Sequence, residues 1–175
     1  MISEPRLEFR PQQHFVAIRQ HVFVPFADLL PPLWGDIMSW LGEKGLEPCG
    51  PPFIRYLTVD MEKGMDVEVG FPVEGLVVGE RQFISGIFPA GRYACLLYSG
   101  PYDNQGLVEA TTCLLDWAAA NQISWETTMI GLVEWWQMRT EVYLTDPATE
   151  PDPQKWRTEL VFLTAKGRLS QTSGF

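Results

Sequence analysis

FVAIRQHV (residues 15–22) and RYACLLYS (92–99) decide how this chain is read, because they align at an offset of 77 residues and each leads into a helical pattern. The same offset lays SWLGEKGL (39–46) over DWAAANQI (116–123), with Trp40 over Trp117. A single register that matches both a strand and a helix end argues for an internal repeat. The expected fold is α+β: two βαββ units, about 5–75 and about 84–166, with antiparallel sheets. They form a single domain over 1–175, with a frayed tail at 167–175.

Local chemistry fills in each unit. In the first, Phe15, Val16 and Ile18 are strand formers. Leu30, Leu33, Ile37, Trp40 and Leu41 recur at helical spacing. Pro31 and Pro32 fit only a first helical turn, and Gly45 suits the stop. FIRYLTVDMEKGMDVEVGFPV (53–73) reads as a hairpin turning at Met61–Gly64, with Val67, Val69, Phe71 and Val73 on one face. EGLVVGERQFI (74–84) reads as a connection. In the second unit, Asp103 or Asn104 caps a helix whose face holds Leu107, Ala110, Leu114, Trp117 and Ala118. QMRTEVYLTDP and KWRTELVFLTA are its strands. If both helices sit on one side, the opposite sheet faces curve into a shared ligand groove.

Composition narrows the function classes. Of 175 residues, 46% are hydrophobic and 13% aromatic, which suits a ring-rich globular core. A net charge of −9 with no Lys/Arg run excludes phosphate-backbone binding, so no nucleic acid partner is expected. The acidic field favours cationic small molecules. No apolar run reaches membrane length, and no signal peptide is present, so a cytoplasmic protein is expected. Cys49, Cys95 and Cys113 form neither a disulfide framework nor a CxxC site. His14 and His21 support neither a metal site nor a triad, and no phosphate-binding glycine motif occurs, so no metal and no cofactor are expected. The oligomeric state is not encoded in these patterns.

IGLVEWWQMRTEVYLTDP (130–147) carries the candidate chemistry. Read as one uninterrupted strand, it places Trp135, Gln137, Arg139, Glu141 and Tyr143 on one face and Val142 and Leu144 on the helix-covered other. Glu141 is then either solvated or paired with Arg139, or it is a fixed charge among rings. Buried, its carboxyl would resist ionisation. It would then serve a ligand cation, with roughly 0.5–2 kcal/mol more from each ring beneath it, or act as a general acid. Trp135 and Trp136 point to opposite faces, so one of them belongs to the core. Tyr98 and Tyr102 flank a Gly-Pro turn, and Tyr56 is the counterpart wall in the first unit. Glu134 is a second carboxylate.

The tandem βαββ order, FPAGRYACLLYSGPYDNQG (88–106) and the Glu-x-Tyr-x-x-Asp-Pro run in RTEVYLTDP (139–147) resemble the GyrI-like small-molecule-binding domains. These also form the effector-binding part of AraC-type and MerR-type multidrug regulators. The resemblance implies duplicated βαββ units in an SHS2-like tandem, with a central pocket between them for bulky, aromatic, often cationic compounds and Glu141 as its buried carboxylate. It also offers a hydrolase alternative that opens cyclopropane-bearing electrophilic toxins, with Glu141 catalytic, and a further one, a gyrase-inhibitor-type interaction module. No helix-turn-helix segment flanks the domain, so a stand-alone xenobiotic-binding protein is expected.

Overall fold

Each half of the chain opens with a short strand followed closely by a longer one. In the computed structural model, which describes residues 1–166, β1 (Arg6–Arg10) and β2 (Gln13–Val22) lead into α1 (Leu30–Glu43), β3 (Phe53–Tyr56) and β4 (Met65–Val73). Then β5 (Phe83–Phe88) and β6 (Gly91–Ser99) lead into α2 (Asn104–Ala120). A small hairpin, β7 (Thr127–Ile130) and β8 (Val133–Trp136), precedes β9 (Arg139–Tyr143) and β10 (Arg157–Leu163). The expected tail at 167–175 lies outside the described residues.

Eight strands form one curled antiparallel sheet in the order β1-β6-β10-β9-β3-β4-β2-β5, and β7 and β8 form a second, two-stranded sheet. The opening strands are exchanged between the halves: β1 pairs with β6, and β5 pairs with β2. β1 and β5 both begin their half at the 77-residue offset. The segment 74–84, read as a connection, therefore ends in a strand, because Phe83 is buried and stacks flat on Trp40 with ring centroids 4.5 Å apart.

Both helices cover the same face. α1 buries Leu30, Ile37, Trp40 and Leu41, each contributing roughly 1.5–3 kcal/mol by removal from water. Pro31 and Pro32 fall in its first turn, where their missing N–H groups cost nothing. Asp103 caps α2 by accepting from the Gly106 amide at 2.9 Å. Leu107, Ala110 and Leu114 pack on Leu96, Leu160 and Phe162.

The opposite face has no helix; the sheet curls over its own side chains. Phe15, Phe53 and Phe88 meet with ring centroids 4.7–5.2 Å apart, joined by Tyr93, Cys95, Met138, Val161 and Leu163. A side chain at Gly86 would collide with the Phe15 ring, so only glycine admits this closure. Charges line the same face. The buried Glu68 carboxylate accepts from Arg55 at 2.6 Å and Arg19 at 3.1 Å, and Glu159 from Arg6 and Arg10 at 2.9 and 2.8 Å.

Candidate functional site

The two halves join where β9 pairs with β3, in a register that sets Ile54 opposite Glu141 and Glu141 opposite Leu160. Directly paired residues share a face. Ile54 belongs to the α1-side core and Leu160 to the α2-side core, so Glu141 lies on the helix-bearing face, on the strip between the helices. The sequence reading had put Val142 and Leu144 under a helix. Val142 instead packs on the curled face with the Phe15 cluster, and Leu144 is exposed.

Alternation along β9 places Arg139, Glu141 and Tyr143 together. Glu141 is only 8% exposed. Its Oε2 accepts from the Tyr143 hydroxyl at 2.7 Å and the Tyr56 hydroxyl at 3.2 Å. Tyr56 comes from β3, so each half supplies one phenol to a single carboxylate oxygen. Burial raises the Glu141 carboxyl above its ordinary 4.5, while the two phenols and the Arg139 charge pull it back. Burial, then the neighbouring Glu141 charge, pushes both phenols well above 10. Both therefore stay hydroxyl donors throughout the physiological range.

Rings surround this group. Trp34 of α1 meets Tyr143 edge-on at 5.5 Å, and Phe26 meets Tyr56 at 6.5 Å. On the other side Tyr102 packs against Tyr143 at 5.1 Å and Trp156 at 4.9 Å. The Tyr102 hydroxyl donates to the Thr145 carbonyl at 2.7 Å and accepts from the Thr145 amide at 3.1 Å, which fixes the chain just after β9. Arg139 lies over Trp136 and Phe162, with Cζ 4.7 and 5.2 Å from the ring centroids.

The family description "GyrI-like small molecule binding domain" matches residues 3–163. The chain belongs to the GyrI-like family. No curated protein matches this GyrI-like chain significantly. Among solved structures similar to it are EcmrR in a complex with DNA (24% identity, 93% of this chain, TM-score 0.71) and the EcmrR C-terminal domain (23% identity, 93% of this chain and 98% of that one, TM-score 0.66). A hydrolase from Listeria innocua shares 13% identity over 93% of this chain and 92% of that one, with a TM-score of 0.60. SAV2435 bound to tetraphenylphosphonium shares 11% over 94% and 95%, with a TM-score of 0.57. At these identities the likeness is one of fold. The GyrI-like chain spans 57% of the length of EcmrR as seen in the DNA complex.

Of the residues singled out in the sequence, Glu141, Tyr143, Tyr56 and Tyr102 come together. Two others are placed elsewhere. Trp135 does not share the strip with Glu141, because the expected single strand is broken at Gln137–Met138. The Gln137 amide donates to the Glu126 carbonyl, its carbonyl accepts from Arg55, and Met138 turns into the curled core. Trp135 is therefore half-buried on the β7–β8 hairpin, paired with Thr128. Tyr98 packs under α2, where a side chain at Gly106 would strike its hydroxyl. Trp136 is in the α2 core but reaches the strip through Arg139. Arg139 makes no ion pair with Glu141, contrary to the simplest reading of their spacing, because the phenols hold the carboxylate instead.

Sequence reasoning missed Trp34, Phe26 and Trp156. Trp34 had a signal, since it sits four after Leu30 and three before Ile37 on the buried stripe. The other two lie in loops, where no periodicity marks them.

Two concavities among the described residues lie elsewhere. One, of about 1050 Å³, runs past Pro89, Gln122 and Thr164, and the other, of about 740 Å³, past Met38, Cys49 and Leu76. The Glu141 group is closed by its own rings. Glu8, Cys95 and Glu159 bring three ligand-type atoms within 4.8 Å of one another. Arg6 and Arg10 already engage both carboxylates, and burial pushes the Cys95 thiol up to about 12, so these residues fit an ion network better than a metal. No described helix is long and apolar enough to cross a membrane.

Proposed function

We propose that this GyrI-like domain binds bulky aromatic compounds, with a preference for those carrying a positive charge, on the strip between α1 and α2. The observation that carries the reading is the Glu141 carboxylate, buried at the seam and held by two phenols inside a ring of Trp34, Phe26 and Tyr102. A carboxylate kept from water is poorly stabilised by neutral donors alone, so a cation beside it restores the missing charge compensation. Aromatic faces around that cation add to the attraction. Tyr56, Tyr102 and Trp34 are only half-buried, and rotation of Tyr56 is the simplest way to admit a ligand to Oε2. The three cysteines are free, as a reducing cytoplasm keeps them. The hydrolase likeness is one of fold at 13% identity and adds no residue to this reading.

Titration of intrinsic tryptophan fluorescence with tetraphenylphosphonium tests it. The wild type should bind, and Glu141→Gln should bind about tenfold or more weakly, the loss of one charge-assisted contact. Equal binding by both proteins would remove Glu141 from the site.

A further inference from the structure

Arg139 is a charged group on the strip that the cation-binding reading leaves unused. It stands on the same face of β9 as Glu141 and Tyr143, opposite Phe162. Its guanidinium lies over Trp136 and Phe162, with Cζ 4.7 and 5.2 Å from the ring centroids. Burial pulls it below the usual arginine value, and Tyr56, Glu141 and Glu134 act on it through charge alone. Among the described residues it donates no side-chain hydrogen bond and lies within ion-pair distance of no carboxylate.

The other half-buried arginines among the described residues differ. Arg55 is bound by Glu68 and the Gln137 carbonyl, and Arg10 by Glu8 and Glu159. A guanidinium has five N–H donors in one plane. With rings beside it and no acceptor among the described residues, this fork of donors is uncommitted, and the geometry a fork matches is a carboxylate or another planar oxyanion.

We infer that Arg139 is the anion-binding half of the site, and that the preferred ligand is an aromatic zwitterion whose carboxylate meets the Arg139 fork while its cation lies beside Glu141. The inference rests on the proposed strip between the helices. Both side chains stand on the same face of β9, so the ligand must present both of its charges toward that face. A simple cation would approach the site against the Arg139 charge, whereas a zwitterion satisfies both residues.

Rhodamine B, a xanthylium cation bearing a free benzoate, and rhodamine B ethyl ester, the same cation without the anion, form a matched pair. Fluorescence anisotropy would give their dissociation constants for the wild type, Arg139→Met, Arg139→Lys and Glu141→Gln, each checked for a native melt. The wild type should hold the acid at least about tenfold more tightly than the ester, the range of a hydrogen-bonded charge contact. Arg139→Met should abolish that preference and bind the ester as well as the wild type or better. Arg139→Lys, with the charge but not the fork, should retain part of it. Equal wild-type affinity for acid and ester, or equal weakening of both by Arg139→Met, overturns the inference while Glu141-dependent ester binding leaves the strip standing. If neither dye binds, or Glu141→Gln changes neither, the strip itself is wrong and this inference goes with it.

Discussion

The Tyr143–Glu141 contact should be measurable as a coupling energy. The hydroxyl lies 2.7 Å from Oε2 on a carboxylate that is 8% exposed. A hydrogen bond to a charged acceptor contributes about 1.5–3 kcal/mol, and one between neutral partners about 0.5–1.5 kcal/mol. Tyr143→Phe should therefore cost about 2 kcal/mol in the wild type and about 1 kcal/mol in the Glu141→Gln background, where the acceptor is a neutral amide. The difference, a coupling of about 1 kcal/mol, exceeds the roughly 0.3–0.5 kcal/mol within which independent sites add. Urea unfolding of the four proteins at about pH 8 gives the cycle, and unchanged m-values would certify that the denatured states match. As pH falls through the raised carboxyl value the coupling should shrink, because the carboxyl then takes up its proton and the wild-type bond becomes neutral as well. Additive costs at the higher pH would refute the argument, since they would mean that Glu141 carries no charge where Tyr143 meets it.

Three other outcomes are expected. Glu141 has its folded-state carboxyl raised above 4.5, so its contribution to stability is fully present below the ordinary value and is lost as pH rises through the raised one; thermal melts of Glu141→Gln should therefore gain on the wild type between about pH 4 and about pH 8. Arg55→Met leaves the buried Glu68 with the more exposed Arg19 alone and should cost about 3–5 kcal/mol in chemical denaturation, as breaking a buried pair does. Asp103→Ala removes the α2 cap and should cost about 1 kcal/mol, read as a melting temperature lower by roughly 2–4 °C.

Fold and site were legible to different depths. The helices could be read because their signals are local: apolar spacing, the proline pair at 31 and 32, and the Asp103 cap. The long strands of each half showed in the repeat. The exchange of β1 and β5 did not, because an edge strand's partner depends on how the sheet curls, and nothing in FISGIF (83–88) names β2 over β6. The break before β9 was hidden for the opposite reason. VEWWQMRTEV (133–142) has continuous strand propensity, and tertiary bonds from Arg55 and Glu126 interrupt it at Gln137. One displaced residue there changes which side chains accompany Glu141. Glu141 and Tyr143 kept their relation because they lie two apart within one strand. Tyr56 reached them only through the β3–β9 register.

The exchange of β1 and β5 ties the history of the two halves to their dependence on each other. A chain cut in the loop at 74–82 yields fragments that each retain a strand belonging to the other's sheet, since β1 lies against β6 and β5 against β2. Each fragment also keeps one of the two phenols, but Glu141 is on one side only. Neither piece is a smaller version of the whole. Mixed together, they would have to knit across both exchanged strands and the β3–β9 seam before a carboxylate with two phenols existed anywhere, so a ligand of the intact domain would act as the clasp that holds such a split protein together.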